Sequence, residues 1–160
     1  MKNKILTLFL TATLAAAALL LACGKEKESP QSPSPQDDPS LRREKWQLQH
    51  FVDNITGHVD IPHNEDWLRQ PNYWIQLHAD GTVSGFGAVN TLHGTYTKNE
   101  EGSMTFSIHE TTEVNDPWGD ERRMVTALND VQRYECTEGA MRLFYNNEIQ
   151  YMDFINITEL

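Results

Sequence analysis

The chain has 160 residues, with 23 aspartates and glutamates against 13 lysines and arginines, a formal net charge of −10, 39% hydrophobic residues and two cysteines. That length accommodates one globular domain, or one domain with a tail. The acidic balance argues against nucleic acid as a partner, because phosphate binding needs a basic face, and two cysteines cannot staple a disulfide-dense miniature fold.

Lys2 and Lys4 precede an almost unbroken apolar run from Ile5 to Ala22, the charged and apolar regions of an export signal. The run is also about long enough to span a bilayer, so a retained membrane helix is the alternative. Leu20-Leu21-Ala22-Cys23-Gly24 resembles the lipobox of bacterial lipoproteins. The resemblance implies a signal peptide at 1–22 and diacylglycerol on the Cys23 thiol. Removing residues 1–22 leaves 11 basic against 23 acidic residues, a charge of −12. Two or more acyl chains suffice for stable attachment where one is marginal, and the lipoprotein resemblance implies the outer membrane as the site.

Residues 23–43 read as a tether. Four prolines (Pro30, Pro33, Pro35 and Pro39) fall among serines, glutamines and aspartates, a composition that favours extended, solvated backbone and cannot build a core. At about 3.1 Å per residue the stretch 24–40 holds the domain roughly 50 Å from the membrane. The Lys/Glu stretch after Cys23 resembles the signal that sends some lipoproteins to the cell surface; a periplasm-facing anchor is the alternative.

The domain is expected over 44–160. From Glu44 to Asp53, Trp46, Leu48, His50 and Val52 alternate with Lys45, Gln47, Gln49 and Phe51, the period of a strand with one face in the core. Tyr73, Ile75, Leu77 and Ala79 repeat the pattern, and Asp80-Gly81 supplies a positive-φ turn before a strand at Thr82–Phe86. Further strands are predicted at 92–97, 104–110, 131–137, 141–145 and 149–157, with turns at Glu100-Glu101-Gly102 and Asn146-Asn147. Between them, Met124, Ala127, Leu128 and Val131 recur at helical spacing, predicting a helix over 120–130 with Asp120 capping its first turn. About eight strands and one helix define a mainly β fold, a small antiparallel β-barrel with the helix plugging one end.

The run Gly85-Phe86-Gly87-Ala88-Val89-Asn90-Thr91-Leu92-His93-Gly94-Thr95-Tyr96 resembles the signature of the META domain of heat-shock-type lipoproteins. The likeness continues through Thr112–Asp116, the predicted helix and Met141-Arg142-Leu143, and starts at Trp46-x-Leu48. Two positions depart from the family pattern: Val89 and Asp116 stand where cysteines are common. If those cysteines pair in the family, the bridge is absent here, leaving the two loops tied by packing alone. Cys136 is the one cysteine of the domain. With no cluster of basic residues around it in the sequence, it reads as a small buried strand residue rather than a reactive thiol.

The histidines, chiefly His58 and His63, lack zinc-ligand spacing. No nucleophile elbow, phosphate loop or dinucleotide fingerprint is present. The chain is therefore expected to be a non-enzyme with no metal and no cofactor. Binding surface remains. The stretch 53–72 is long for a connection between strands and carries Ile55, Val59, Ile61, Trp67 and Leu68; a short helix over 65–69 folding across a barrel mouth is the alternative. A second candidate is the loop Val114-Asn115-Asp116-Pro117-Trp118, expected beside the corner at Val89 and Asn90. Pro117 stiffens it and Trp118 offers a large contact, although a lone tryptophan also serves as core.

In size, anchor and barrel class the chain is similar to the potempin-type protease inhibitors. That likeness implies a loop that enters the cleft of a secreted metallo- or serine endopeptidase. The META resemblance by itself implies a non-catalytic envelope or stress-related lipoprotein. A lipocalin-like binder is the weaker third reading, because side chains should fill so small a barrel. The domain is expected to be monomeric.

Overall fold

A computed structural model describes residues 44–63, 72–99, 101–111, 114–137 and 139–158, all within the unit Ser32–Leu160. Cys23, the tether and the predicted 65–69 helix lie outside the described residues. In chain order the elements are β1 (Lys45–Asp53), β2 (Val59–Asp60), β3 (Trp74–Leu77), β4 (Thr82–Phe86), β5 (Thr91–Lys98), β6 (Met104–Glu110), α1 (Asp120–Asn129), β7 (Arg133–Cys136), β8 (Ala140–Tyr145) and β9 (Gln150–Asn156). The strands pair antiparallel in the order β6-β5-β4-β3-β1-β9-β8-β7, with β2 added beside β1.

The sheet curls until its two ends touch. Ser103 bridges Arg133, Met104 N donates to Gln132 O at 3.1 Å and Tyr134 N donates to Gly102 O at 3.0 Å. Past this corner β6 meets α1 instead of β7. There Asn129 takes the part of a neighbouring strand: its Oδ1 accepts from Ile108 N at 2.7 Å and its Nδ2 donates to Ile108 O at 3.0 Å. An edge that would otherwise be open to pairing is thereby occupied. Among the described residues the fold is thus a curled antiparallel half-barrel with one helix.

Its interior is filled by Trp46, Leu48, Phe51, Tyr73, Ile75, Leu77, Leu92, Met104, Met152 and Phe154, with Met124, Ala127 and Leu128 supplied by α1. Each such large apolar side chain contributes roughly 1.5–3 kcal/mol when fully buried.

The inward face of β1 departs from simple alternation. Leu48 pairs with Phe154, but the next pair is His50 with Asp153, so Gln49 is an extra, bulged residue. A bulge moves every later side chain to the other face. Phe51 therefore enters the core where alternation placed His50 and Val52. Val52 lies on the outer face, against its cross-strand partners Val59 and Tyr151.

The helix start also differs from the sequence expectation. Gly119, at φ 79°, is the N-cap and offers no side-chain oxygen. Asp116 fulfils that role from upstream, its carboxylate accepting from Trp118 N at 3.0 Å and from Glu121 N at 2.9 Å. Asp120 points instead to His63. At the other end the turn 146–148 holds three consecutive residues at positive φ, tied to the helix end where Asp130 accepts from Asn146 N at 2.7 Å.

Candidate binding surface

Two segments distant in sequence form one surface at the N-terminal end of α1. The first follows β1. Asp53 Oδ1 accepts from Ile55 N, Thr56 N and Thr56 Oγ1 at 2.7–3.0 Å, closing a turn that sends the chain back as β2, with Val52 opposite Val59. The stretch expected as a long loop therefore begins as a hairpin. It continues as a strap, residues 58–63, bound to the helix: Arg123 Nη2 donates to Asp60 Oδ2 at 3.0 Å, and His63 N donates to Asp120 Oδ2 at 2.9 Å. The His63 Nδ1 lies 2.8 Å from the same oxygen.

The second segment is the loop before α1. Trp118 is half-buried and stacks on the His63 ring, with centroids 5.8 Å apart and planes at 10°. Val114, Asn115 and Pro117 are exposed, Val114 at 56%. Alongside runs a groove of about 510 Å³ walled by Glu110, Val114, Asn115, Asp116, Trp118 and Glu121. Burial, and then the neighbouring Glu121 charge, push the Glu110 carboxyl above its ordinary range against the opposing effect of Arg122. A second groove of about 700 Å³ lies along the far side of α1, between Arg122, Thr126 and Asp130 and the β8–β9 turn at Tyr145 and Gln150.

The frame beneath the loop is a polar clasp. Glu121, 1% exposed, accepts from Val89 N at 2.9 Å and from Asn90 N at 3.2 Å, and its second oxygen accepts from Asn90 Nδ2. The Asn90 amide also grips the loop: Nδ2 donates to Val114 O at 2.7 Å and Oδ1 accepts from Val114 N at 3.2 Å. The two loops are therefore joined by hydrogen bonds, not by packing alone. Of the two departing positions, Val89 packs partly buried against the core and Asp116 is buried, accepting from Glu121 N in the first turn of the helix. Of the seven loop candidates, Val114, Asn115 and Pro117 face outward, Trp118 is half covered, and Val89, Asn90 and Asp116 support them from below.

Glu121 was not singled out as a site residue in the sequence. Gly87 makes room for it: an added Cβ there would overlap the Glu121 side chain. Tyr73, at φ 54°, lies under the same end with its hydroxyl buried and without a hydrogen-bond partner. Burial, reinforced by Asp116, Asp120 and Glu121, raises that phenol above its ordinary range. Among the described residues no His, Cys, Asp and Glu side chains converge to hold a metal ion. His58 Nε2 lies 3.1 Å from Asp60 Oδ1. Cys136 is half-buried on β7, packs against the core and donates from Sγ to Thr137 O at 3.4 Å.

A curled antiparallel half-barrel that braces two loops on the start of helix α1 defines a class of small β scaffold with a built surface at one end. The META domain profile matches residues 39–156, so the chain belongs to the META domain family. None of the curated proteins matches it. Similar solved structures include a DUF4847 family protein from Bacteroides vulgatus ATCC 8482, at 17% identity and a TM-score of 0.54, covering 75% of this chain and 96% of that one. A protein from Burkholderia xenovorans, solved by NMR, is 20% identical with a TM-score of 0.59, covering 82% and 99%.

Proposed function

We propose that the protein is a non-catalytic lipoprotein, anchored in the outer membrane through Cys23, that inhibits secreted metallo- or serine endopeptidases with the surface formed by loop 114–118 and the strap. The observation that carries this reading is the presentation of Val114. Both its peptide N–H and its carbonyl are held by the Asn90 amide while its side chain stands in solvent. A contact residue fixed in this way loses little entropy on binding. Three carboxylates of the surface are structural acceptors: Glu121 for the Val89–Asn90 corner, Asp116 for the helix start and Asp120 for His63. That arrangement supports a binding role over an acid–base one. The acidic chain favours a partner with a basic rim, chiefly through its association rate.

The test is a titration of the purified full chain, in detergent, against secreted metallo- and serine endopeptidases of the organism that makes it. Tight inhibition near one-to-one is expected, weakened by Val114→Asp and by Trp118→Ala. The second reading, favoured by membership of the META family, is an envelope lipoprotein with a structural or binding task. Absence of inhibition at micromolar concentration across the panel, with co-purification of envelope components, would establish it instead.

A further inference from the structure

Val114 has a limitation as the residue that enters a peptidase cleft. Such clefts take an extended peptide as an added strand, pairing with its backbone and seating alternate side chains in pockets. The Val114 N–H and carbonyl are already engaged by Asn90, so this residue can offer only its side chain. On the strap, Asp120 holds the His63 N–H and the Asp53 N–H holds the His58 carbonyl, but no described residue bonds the peptide groups of Ile61. Exposure alternates along it: Val59 and Ile61 are exposed at 48% and 72%, Asp60 is half-buried and Pro62 is buried. That is the period of an extended chain, and Pro62 biases the preceding Ile61 to extended backbone. Among the described strands, β2 pairs only with β1.

From this arrangement, resting on the inhibitor reading above, we infer that the strap is the segment inserted into the endopeptidase cleft, with Ile61 filling the pocket for an aliphatic side chain and Val114 and Trp118 meeting the rim. The partner is thereby an endopeptidase that prefers medium-sized aliphatic residues. Both flanks of Ile61 are fixed to α1, Asp60 by Arg123 and His63 by Asp120 and the Trp118 stack. The bound shape is therefore prepared in advance, which reduces the ordering cost of association. The bond after Ile61 leads to a proline nitrogen, which carries no hydrogen and lies in a ring of fixed φ. A peptidase that cuts after its preferred aliphatic residue meets a bond ill-suited to hydrolysis, and the chain on either side stays pinned.

The experiment uses the full chain against whichever peptidase the wild type inhibits. Ile61 is largely exposed, so Ile61→Asp should leave the melting temperature unchanged. It should raise the inhibition constant by about a hundredfold or more, as a charged group in an apolar hot-spot pocket does, and by more than Val114→Asp raises it. Ile61→Val, one methylene smaller, should cost about tenfold or less. Pro62→Ala should turn the inhibitor into a slow substrate cut between residues 61 and 62, read by intact mass. If the wild type inhibits and Ile61→Asp inhibits equally well within about threefold, the strap is not the inserted segment. Wild-type inhibition with Pro62→Ala left uncut would overturn the placement of Ile61 before the cutting point. If the wild type inhibits no peptidase, the inhibitor reading itself falls, and the strap assignment falls with it.

Discussion

Replacing Gly87 with alanine puts a methyl group where the Glu121 side chain now lies. Gly87 is not among the positive-φ residues, so the substitution carries no backbone strain and its whole effect runs through that collision. The carboxylate must leave the corner, stranding the Val89 and Asn90 peptide N–H groups and one hydrogen of the Asn90 amide. Each buried donor deprived of its acceptor costs about 1–3 kcal/mol. Val89 is only partly buried, so water restores some of the loss and the lower end applies, about 3 kcal/mol in all. Against a total stability of about 5–15 kcal/mol this is a large fraction, visible as a melting temperature lower by roughly 10 °C. Glu121→Ala strands the same donors and should cost a similar amount. The double variant should then cost about 3 kcal/mol rather than 6, a coupling of about 3 kcal/mol. Urea unfolding of the wild type, both single variants and the double variant, followed by tryptophan fluorescence, measures the cycle. Additivity within about 0.5 kcal/mol would show that Gly87 and Glu121 act independently and refute the clasp.

Asn90→Ala removes both grips on Val114 and one on Glu121; it should destabilise the fold by about 2–3 kcal/mol and make the chain around Val114 the first place cut in limited proteolysis, which mass spectrometry would locate. Gly119→Ala isolates conformation from packing, because nothing lies within 4 Å of an added Cβ while φ is 79°; a loss of about 1–2 kcal/mol in urea unfolding is expected. The Asp60 carboxyl is held below its ordinary value of 3.8, chiefly by the hydrogen bond from Arg123 and against the effect of desolvation. A depressed carboxyl stabilises the folded state above the unfolded value and ceases to do so as pH falls through the folded one, so the strap's tie to α1 should persist above pH 3.8 and weaken below it. Carboxyl NMR titration should find Asp60 below 3.8 in the wild type and nearer that value in Arg123→Gln; an Asp60 midpoint at or above 3.8 in the wild type would contradict the tie.

Period and turn chemistry made most of the scaffold legible in the sequence. The strand expected at 104–110 is β6 residue for residue, and the helix expected over 120–130 is α1 to within one residue. Gly81, after Asp80, occupies the positive-φ position expected of it. These features are local: side-chain alternation, helical spacing and the tolerance of glycine act within a few residues, so a single chain displays them. What the sequence could not display was anything that depended on a distant partner. The bulge at Gln49 was hidden because Leu48 and Phe51 both suit a core, and only pairing with β9 selects which follows which inward. The cap passed from Asp120 to Asp116 because His63, 57 residues upstream, claims the Asp120 carboxylate. Nothing local marks Glu121 as buried; the Val89–Asn90 corner supplies the three donors that bury it. The strap and the loop were legible as two candidate segments; their union into one surface came only with the curl of the sheet, which sets His63 against Trp118. Local propensity wrote the elements, and the desolvation of a few polar groups, each needing a partner from elsewhere in the chain, decided how they meet.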